Sequence, residues 1–257
     1  MPRQRILVTN DDGVSAAGLL ALVDQLQSNH QVYVVAPDRN RSGASSALTL
    51  QRPLRLNRFP NGAISIDGTP TDCVHIAITD LYQDDLDIVI SGINHGANMG
   101  DDVWYSGTVG AAMEGRFLGA PPIAISLVGE GDFHFDTAAR VAAYLVDQMA
   151  TSPVQGRFLL NVNVPNLPWS ELKGFEVTRL GTRACPKPAI RRFDPRGQEI
   201  YWIGKAGDEQ GDGQGTDFHA VASGRVSITP LRIDLTHYES FTDLLLWAEG
   251  LGEGSGP

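Results

Sequence analysis

Residues 6–18 read ILVTNDDGVSAAG. Ile6, Leu7 and Val8 form a continuous apolar run, which predicts a strand buried on both faces. The run ends on two adjacent carboxylates, Asp11 and Asp12, followed by Gly13. Leu19, Leu20, Leu22, Val23 and Leu26 then recur at helical spacing, predicting a helix over 16–27 with Ser15 as its N-cap. A strand, an acidic turn and a helix open a βαβ unit, and ligands of such sheets bind at the carboxyl ends of the strands. Adjacent acids repel each other. They cost least with a divalent cation between them, and oxygen ligands suit Mg²⁺, Mn²⁺ or Ca²⁺. The plainer reading is a helix-start turn that tolerates acids, and Asn-Asp-Asp-Gly directly after a buried strand favours the cation.

The same alternation continues. Short β-branched runs stand at Val32–Ala36, Ile88–Ile90 and Ile123–Ile125, with a further strand at Phe158–Val164. Between them, Thr69-Pro70-Thr71-Asp72 carries a capping Thr, a first-turn Pro and an acid at the capping-box position. Ser106–Leu118, ended by Gly119 and Pro121, and Asp136–Met149 read as two more helices. This predicts an α/β fold, a Rossmann-like, doubly wound, mostly parallel sheet. Leu48–Asp67 interrupts it as a β-hairpin turning at Asn61-Gly62.

Beyond about residue 166 the pattern turns hairpin-rich. Phe175–Leu180, Ile190–Phe193 and Ile200–Ile203 are candidate strands, and GDEQGDGQGTD (207–217) reads as a flexible loop. Val226–Leu235 is a strand pair or a broken strand, and Tyr238–Trp247 an amphipathic helix. We divide the chain into a catalytic domain, 1–180, and a β-hairpin oligomerisation arm with a returning strand and C-terminal helix, 181–257.

Composition narrows the function. A 42% hydrophobic, 19% charged chain of 257 residues is an ordinary globular mix, not a disordered one. A net charge of −10 disfavours a basic groove for a nucleic-acid duplex. Cys73 and Cys185 make no disulfide framework and no zinc motif. No apolar run is long enough for a membrane span, and the N-terminus has no signal-peptide pattern, so a cytoplasmic location is expected. No G-x-S-x-G elbow or Walker loop is present.

Two further loops carry chemistry. VVAPDRNRSGASS (34–46) supplies Asp38, Arg39, Arg41 and Ser42, whose hydroxyl is an oxygen ligand. SGINHGANMGDDVWYSGT (91–108) supplies Asn94 and Asn98, amides able to ligate a metal or bind an anion. Ser106-Gly107-Thr108 opens a helix, a natural seat for phosphate, against the plainer role of simple capping. Asp101 and Asp102 read as a solvated turn. Trp104 and Tyr105 could stack on a base, but packing of the loop is the favoured reading. His95 is a titratable group in a polar loop and stays unassigned.

Taken together, ILVTNDDG, VVAPDRNRSGAS, GTPTDCV, SGIN-x-G-x-N-x-G, YSGTVGAAMEG and VSITPL resemble the SurE (survival protein E) family in shared order, over residues 6–231. That family comprises nucleotidases that remove phosphate from nucleoside monophosphates. The resemblance implies that Asp11, Asp12, Ser42 and Asn94 ligate one divalent metal per subunit, Mn²⁺ or Mg²⁺, with Ca²⁺ as a non-productive occupant. It places Asn98, Ser106, Gly107 and Thr108 around the bound phosphate. It also implies activity on some 3′-nucleotides or polyphosphate, and dimers or tetramers built by an exchanged hairpin. The catalytic candidates are Asp11, to orient the attacking water, with Asn98 and Ser106. Direct attack by Asp11 or Asp12 is the alternative chemistry. A Mg²⁺-binding receiver-like module and a non-catalytic nucleotide-binding protein are the rival functions.

Overall fold

The computed structural model describes residues 3–154, 156–210 and 213–252. In chain order the first part runs β1 (Arg5–Thr9), α1 (Ala17–Gln27), β2 (Gln31–Pro37), β3 (Leu56–Arg58), β4 (Ile64–Ile66), α2 (Pro70–Ile76), β5 (Ile88–His95), α3 (Gly107–Glu114), β6 (Ile123–Val128), α4 (Phe135–Thr151) and β7 (Phe158–Pro165). The second part runs β8 (Phe175–Val177), β9 (Thr182–Arg183), β10 (Ile190–Phe193), β11 (Glu199–Trp202), β12 (Glu209–Gln210), α5 (Asp217–Ala222), β13 (Val226–Arg232) and α6 (Phe241–Gly252).

The central sheet has the order β3-β4-β2-β1-β5-β6-β7-β13-β8. From β4 through β7 every neighbouring pair is parallel. The apolar run at 6–8 explains why. Ile6 and Val8 point into one core with Leu19, Leu22 and Leu26 of α1 and Ala138, Val141 and Ala142 of α4. Leu7 points into the other, with Val35, Cys73, Val74 and Ala111. A strand covered by helices on both faces has no polar side, so alternation disappears from its sequence. Each fully buried aliphatic side chain here contributes about 1.5–3 kcal/mol.

From β1 the chain winds one way, to β2 and β4. It then crosses to β5 on the other side of β1 and continues to β6 and β7. The sheet therefore reverses its winding between β1 and β5, the place where such folds open a crevice at the strand ends. Asp11 and Asp12 lie just past the end of β1, and Asn94 lies near the end of β5.

Several local expectations need adjustment. The N-cap of α1 is Ala16, which makes no side-chain cap, rather than Ser15. The turn before it is held instead by Asn10, which brackets Gly13 with two 3.1 Å hydrogen bonds. The capping box at Thr69 and Asp72 forms as read, with Pro70 in the first turn. The strands of the 48–67 hairpin are only three residues each, because Thr49 and Arg55 donate their backbone N–H groups to Asp72 and Asp67, away from any ladder. Residues 226–232 form one unbroken strand, not a pair, antiparallel to β7. The 207–217 loop contains the short strand β12 and leads into a helix, α5, that its Gly-rich composition hid.

β10 and β11 form a separate antiparallel ribbon, exposed along its whole length. α6 likewise covers little of its own chain. Leu244, Leu245, Leu246 and Trp247 are 56–65% exposed. No helix among the described residues is long and apolar enough to cross a membrane.

Candidate active site

Asp11 is 4% exposed. Its Oδ1 accepts a 2.6 Å hydrogen bond from the Thr108 hydroxyl. Burial pushes its carboxyl above the usual range, the Thr108 bond opposes that, and the neighbouring Asp12 charge adds to the rise. A buried carboxylate beside a second acid is poised for a cation. The approach of α3 to it requires glycine, since a Cβ on Gly107 would stand 2.9 Å from Asp11 Oδ2.

Asp12 is held at both oxygens. Oδ1 accepts from Asn40 Nδ2 at 3.1 Å, and Oδ2 accepts from the backbone N–H of His95 at 3.2 Å. Asn40 also accepts the Ser42 backbone N–H at 2.9 Å, and the Arg41 backbone N–H donates to the Asp11 carbonyl at 2.7 Å. Thus three loops, after β1, β2 and β5, converge on the acidic pair. The turn at Gly13 lets them meet, because Gly13 has φ of 107° and its Cβ position faces the Arg39 backbone at 3.1 Å.

Asn94 donates through Nδ2 to the Gly96 carbonyl at 2.9 Å, which fixes the orientation of its amide. Its Oδ1 accepts no hydrogen bond among the described residues. Ser42 is exposed on the neighbouring loop. The candidate donors are two carboxylates, an amide oxygen and a hydroxyl, all hard oxygen groups of the kind Mg²⁺ and Mn²⁺ take. Among the described residues no three His, Cys, Asp or Glu side chains cluster, so soft or zinc-type coordination has no donor set here.

The start of α3 supplies the candidate anion-binding side. Ser106 caps it, its Oγ accepting the Val109 N–H at 3.1 Å, which leaves the hydroxyl hydrogen free to donate. The N–H groups of Gly107 and Thr108 lie in the first turn, where a helix has no internal partner for them. Asn98 is 6% exposed. Its Nδ2 donates to Ser126 at 2.8 Å and its backbone is gripped by Asn161 and Asn163.

Sequence reasoning missed the residues behind these. Asn40 stands between Arg39 and Arg41, where a loop amide carries no signal of its own. Asn161 and Asn163 alternate with Val162 and Val164 on β7, and that NVNV pattern was the available signal for two amides on one face at a strand end. Asp217 gave no signal. It is fully buried and accepts from the backbone N–H groups of Gly100, Gly181 and Phe218 at 2.8–2.9 Å. His95 packs edge-on against Phe133, with centroids 4.1 Å apart. Trp104 and Tyr105 do not pack the loop; they are 59% and 72% exposed. The loop is instead held by its backbone, where the Trp104 carbonyl accepts from Ser45.

Comparison with known proteins agrees with this layout. The family profile of survival protein SurE matches residues 6–187. A protein of Coxiella burnetii (strain RSA 331 / Henzerling II) named 5'-nucleotidase SurE is 57% identical over 250 residues, covering 97% of each chain. One of the same name from Stenotrophomonas maltophilia (strain R551-3) is 56% identical over 96% of each chain. The crystal structure of a SurE protein from Aquifex aeolicus superposes with a TM-score of 0.84 at 42% identity, covering 95% of this chain and 99% of that one. With its doubly wound sheet, its acidic pair at the winding reversal and a match of this extent, the chain belongs to the SurE family.

Proposed function

We propose that this protein is a metal-dependent phosphomonoesterase that hydrolyses nucleoside 5′-monophosphates to nucleoside and phosphate, with 3′-monophosphates and short polyphosphate as further substrates. The observation that carries this is the buried Asp11 beside Asp12, facing the start of α3 at Gly107. The names of the similar proteins from Coxiella and Stenotrophomonas support the same activity.

Asp11, Asp12, Ser42 and Asn94 would hold one divalent cation, Mn²⁺ or Mg²⁺, with Ca²⁺ as a non-productive occupant. When bound, such an ion supplies Lewis-acid polarisation of a phosphoryl oxygen and a water of lowered pKa. The chain's own residues do the rest. The N–H groups of Gly107 and Thr108 and the Ser106 hydroxyl hold the phosphate oxygens as charge shifts towards them. The second amide hydrogen of Asn98 is free to join them. Asp11 Oδ2, the oxygen away from the Thr108 hydroxyl bond, orients the attacking water and takes its proton.

Phosphate release measured over a panel of nucleotides, with each metal in turn, tests the activity. Sustained turnover separates an enzyme from a binding module or a receiver-like domain. Asp11→Asn should remove most activity and weaken Mn²⁺ binding in calorimetry while the circular dichroism spectrum stays native. Unchanged turnover at saturating Mn²⁺ would sink the ligand assignment. Hydroxylamine trapping of a phosphorylated aspartate would replace water attack with attack by the carboxylate.

We also infer a homodimer or homotetramer. The unpaired apolar ribbon β10–β11 and the uncovered α6 support exchange of the arm between subunits. The exposed, unpaired thiol of Cys185 supports a reducing, cytoplasmic location.

A further inference from the structure

We propose that the loop after β6, residues 129–134, braces the metal site: Phe133, packed on His95, fixes the strand-end turn that carries Asn94 and holds Asp12. The proposal rests on the ligand set proposed above and deepens it. Phe133 and His95 are positioning residues here, acting on the cation only through Asp12 and Asn94.

The turn needs a brace because the ladder beneath it is interrupted. β5 pairs with β6 up to Ser91, the register then shifts, and pairing resumes only at Asn94 and His95, against Ser126 and Leu127. Such an irregularity re-aims side chains near a site and leaves part of the backbone without ladder partners. Just beyond, the Gly96 N–H donates to the Leu127 carbonyl at 3.0 Å. This short stretch has two tasks. Asn94 lies in it, its amide set by the Gly96 carbonyl, and the His95 backbone N–H donates to Asp12 Oδ2 at 3.2 Å. A rotation of the turn therefore moves one proposed ligand and releases another.

The brace comes from the side. The His95 ring meets Phe133 edge-on at 4.1 Å, and Phe135 stands behind both, 6.3 Å from His95 and 5.8 Å from Phe133. Edge-to-face packing at such separations is favourable and directional. Phe135 is fixed against α1, since a Cβ on Gly18 would stand 3.1 Å from its ring and 2.2 Å from the Ile93 carbonyl oxygen. Phe133 is fixed by its own loop. Asn166 Oδ1 accepts the His134 N–H at 2.9 Å, and its Nδ2 donates to the Glu130 and Asp132 carbonyls at 3.1 and 2.9 Å. The Asn166 backbone N–H donates to the Val128 carbonyl at 2.8 Å. Gly129 lets the loop fold back this closely, with φ of 149° and a Cβ position 2.7 Å from Asn166 Cβ. A loop tied at so many points is a fixed platform, and it aims a ring that is 37% exposed at the turn. The candidate anion-binding side lies elsewhere, at the start of α3 and Asn98, so experiment can separate the two.

The test uses the full-length protein. Mn²⁺ binding to the chelator-stripped form is measured by calorimetry for the wild type, Phe133→Ala, His95→Ala, the double variant and Phe133→Tyr, with circular dichroism as the check of fold. Each alanine variant should bind Mn²⁺ about threefold to tenfold more weakly. The double variant should bind no more weakly than the weaker single, because both changes remove one contact. Phe133→Tyr keeps the ring and should bind within about twofold of the wild type. At saturating Mn²⁺, KM for adenosine 5′-monophosphate should move less than about twofold in Phe133→Ala, since a group that acts only through the metal ligands leaves substrate binding alone. His95 is exposed and its truncation leaves the 129–134 loop whole, so His95→Ala judges the contact even where Phe133→Ala disturbs the fold. Unchanged Mn²⁺ affinity in His95→Ala and in folded Phe133→Ala, losses that multiply in the double variant, or a KM that rises while Mn²⁺ affinity holds overturns the brace. A wild type that binds Mn²⁺ yet cleaves no phosphomonoester overturns the proposed activity alone, and the affinities still judge the brace. A wild type that binds no Mn²⁺ overturns the ligand set and the brace together.

Discussion

Thr108 holds Asp11 from two sides. Its hydroxyl donates to Oδ1 at 2.6 Å, and its backbone N–H adds to the pull on the same carboxyl. The hydroxyl bond fixes how the carboxylate is turned. Thr108→Val keeps the shape and removes the donor, so Asp11 loses its orientation and its burial goes less compensated. Loss of such an orienting partner costs about 10–100-fold in metal affinity or activity. Mn²⁺ titration and kcat/KM on a nucleoside monophosphate check this, and a variant within twofold of wild type would mean the bond is incidental. At this scale the acidic pair, Asn94 and the capping Ser106 were readable, because a polar residue directly after a buried strand advertises a strand-end site. Asn40 and Asn161 were not, because an amide that supports another side chain looks like any loop or strand amide until its partner is known.

Among the elements, the arm and the body meet at Asp217. This buried carboxylate ties the loop at Gly100 to Gly181 and to the first turn of α5. Asp217→Ala leaves three buried backbone N–H groups without an acceptor, each costing about 1–3 kcal/mol. We expect chemical denaturation to show a loss of about 3 kcal/mol or more, and a loss under 1 kcal/mol would show that water replaces the carboxylate. The same residue changes how the arm should be cut. Excision of 190–220 removes Asp217 and the fully packed Phe218, so it strikes the body as well as the ribbon. A cut between Lys187 and Lys205, whose backbones meet at 2.9 Å, removes β10 and β11 alone. Joined by a short Gly-Ser turn, that variant should show a lower mass in light scattering with its body intact. An unchanged mass would remove the ribbon from the assembly.

For the whole molecule, Arg5 pins the N-terminal ends of two central strands, meeting Asp87 and, at 3.4 Å, Asp85. Arg5 Nη2 meets Asp87 Oδ1 at 2.8 Å, and the Arg5 backbone N–H meets Oδ2 at 2.8 Å, joining the starts of β1 and β5. The Arg5 side-chain bond holds the Asp87 carboxyl below the usual carboxylate range. A carboxyl with a lowered folded-state pKa contributes stability that is present above its unfolded value, about 3.9, and is lost as pH falls through the folded one. Asp87→Asn should therefore lower the melting temperature at pH 7 and flatten its fall below about pH 4. Parallel melting curves for the two proteins across that range would remove Asp87 from the acid response.

The sequence by itself determined the doubly wound sheet, the acidic pair at its mouth and the helix start that faces it. These are encoded locally: apolar runs without alternation require two covering layers, and caps and turn glycines mark where each strand ends. Tertiary structure alone decided that Asn40 braces Asp12, that Asn161 and Asn163 grip Asn98, and that Asp217 joins residues more than a hundred positions apart. It also left Trp104 and Tyr105 exposed where packing was the natural reading. The physical reason is the same in each case. A buried polar group is satisfied by whichever partner the fold brings within about 3 Å, and sequence spacing carries no record of that distance.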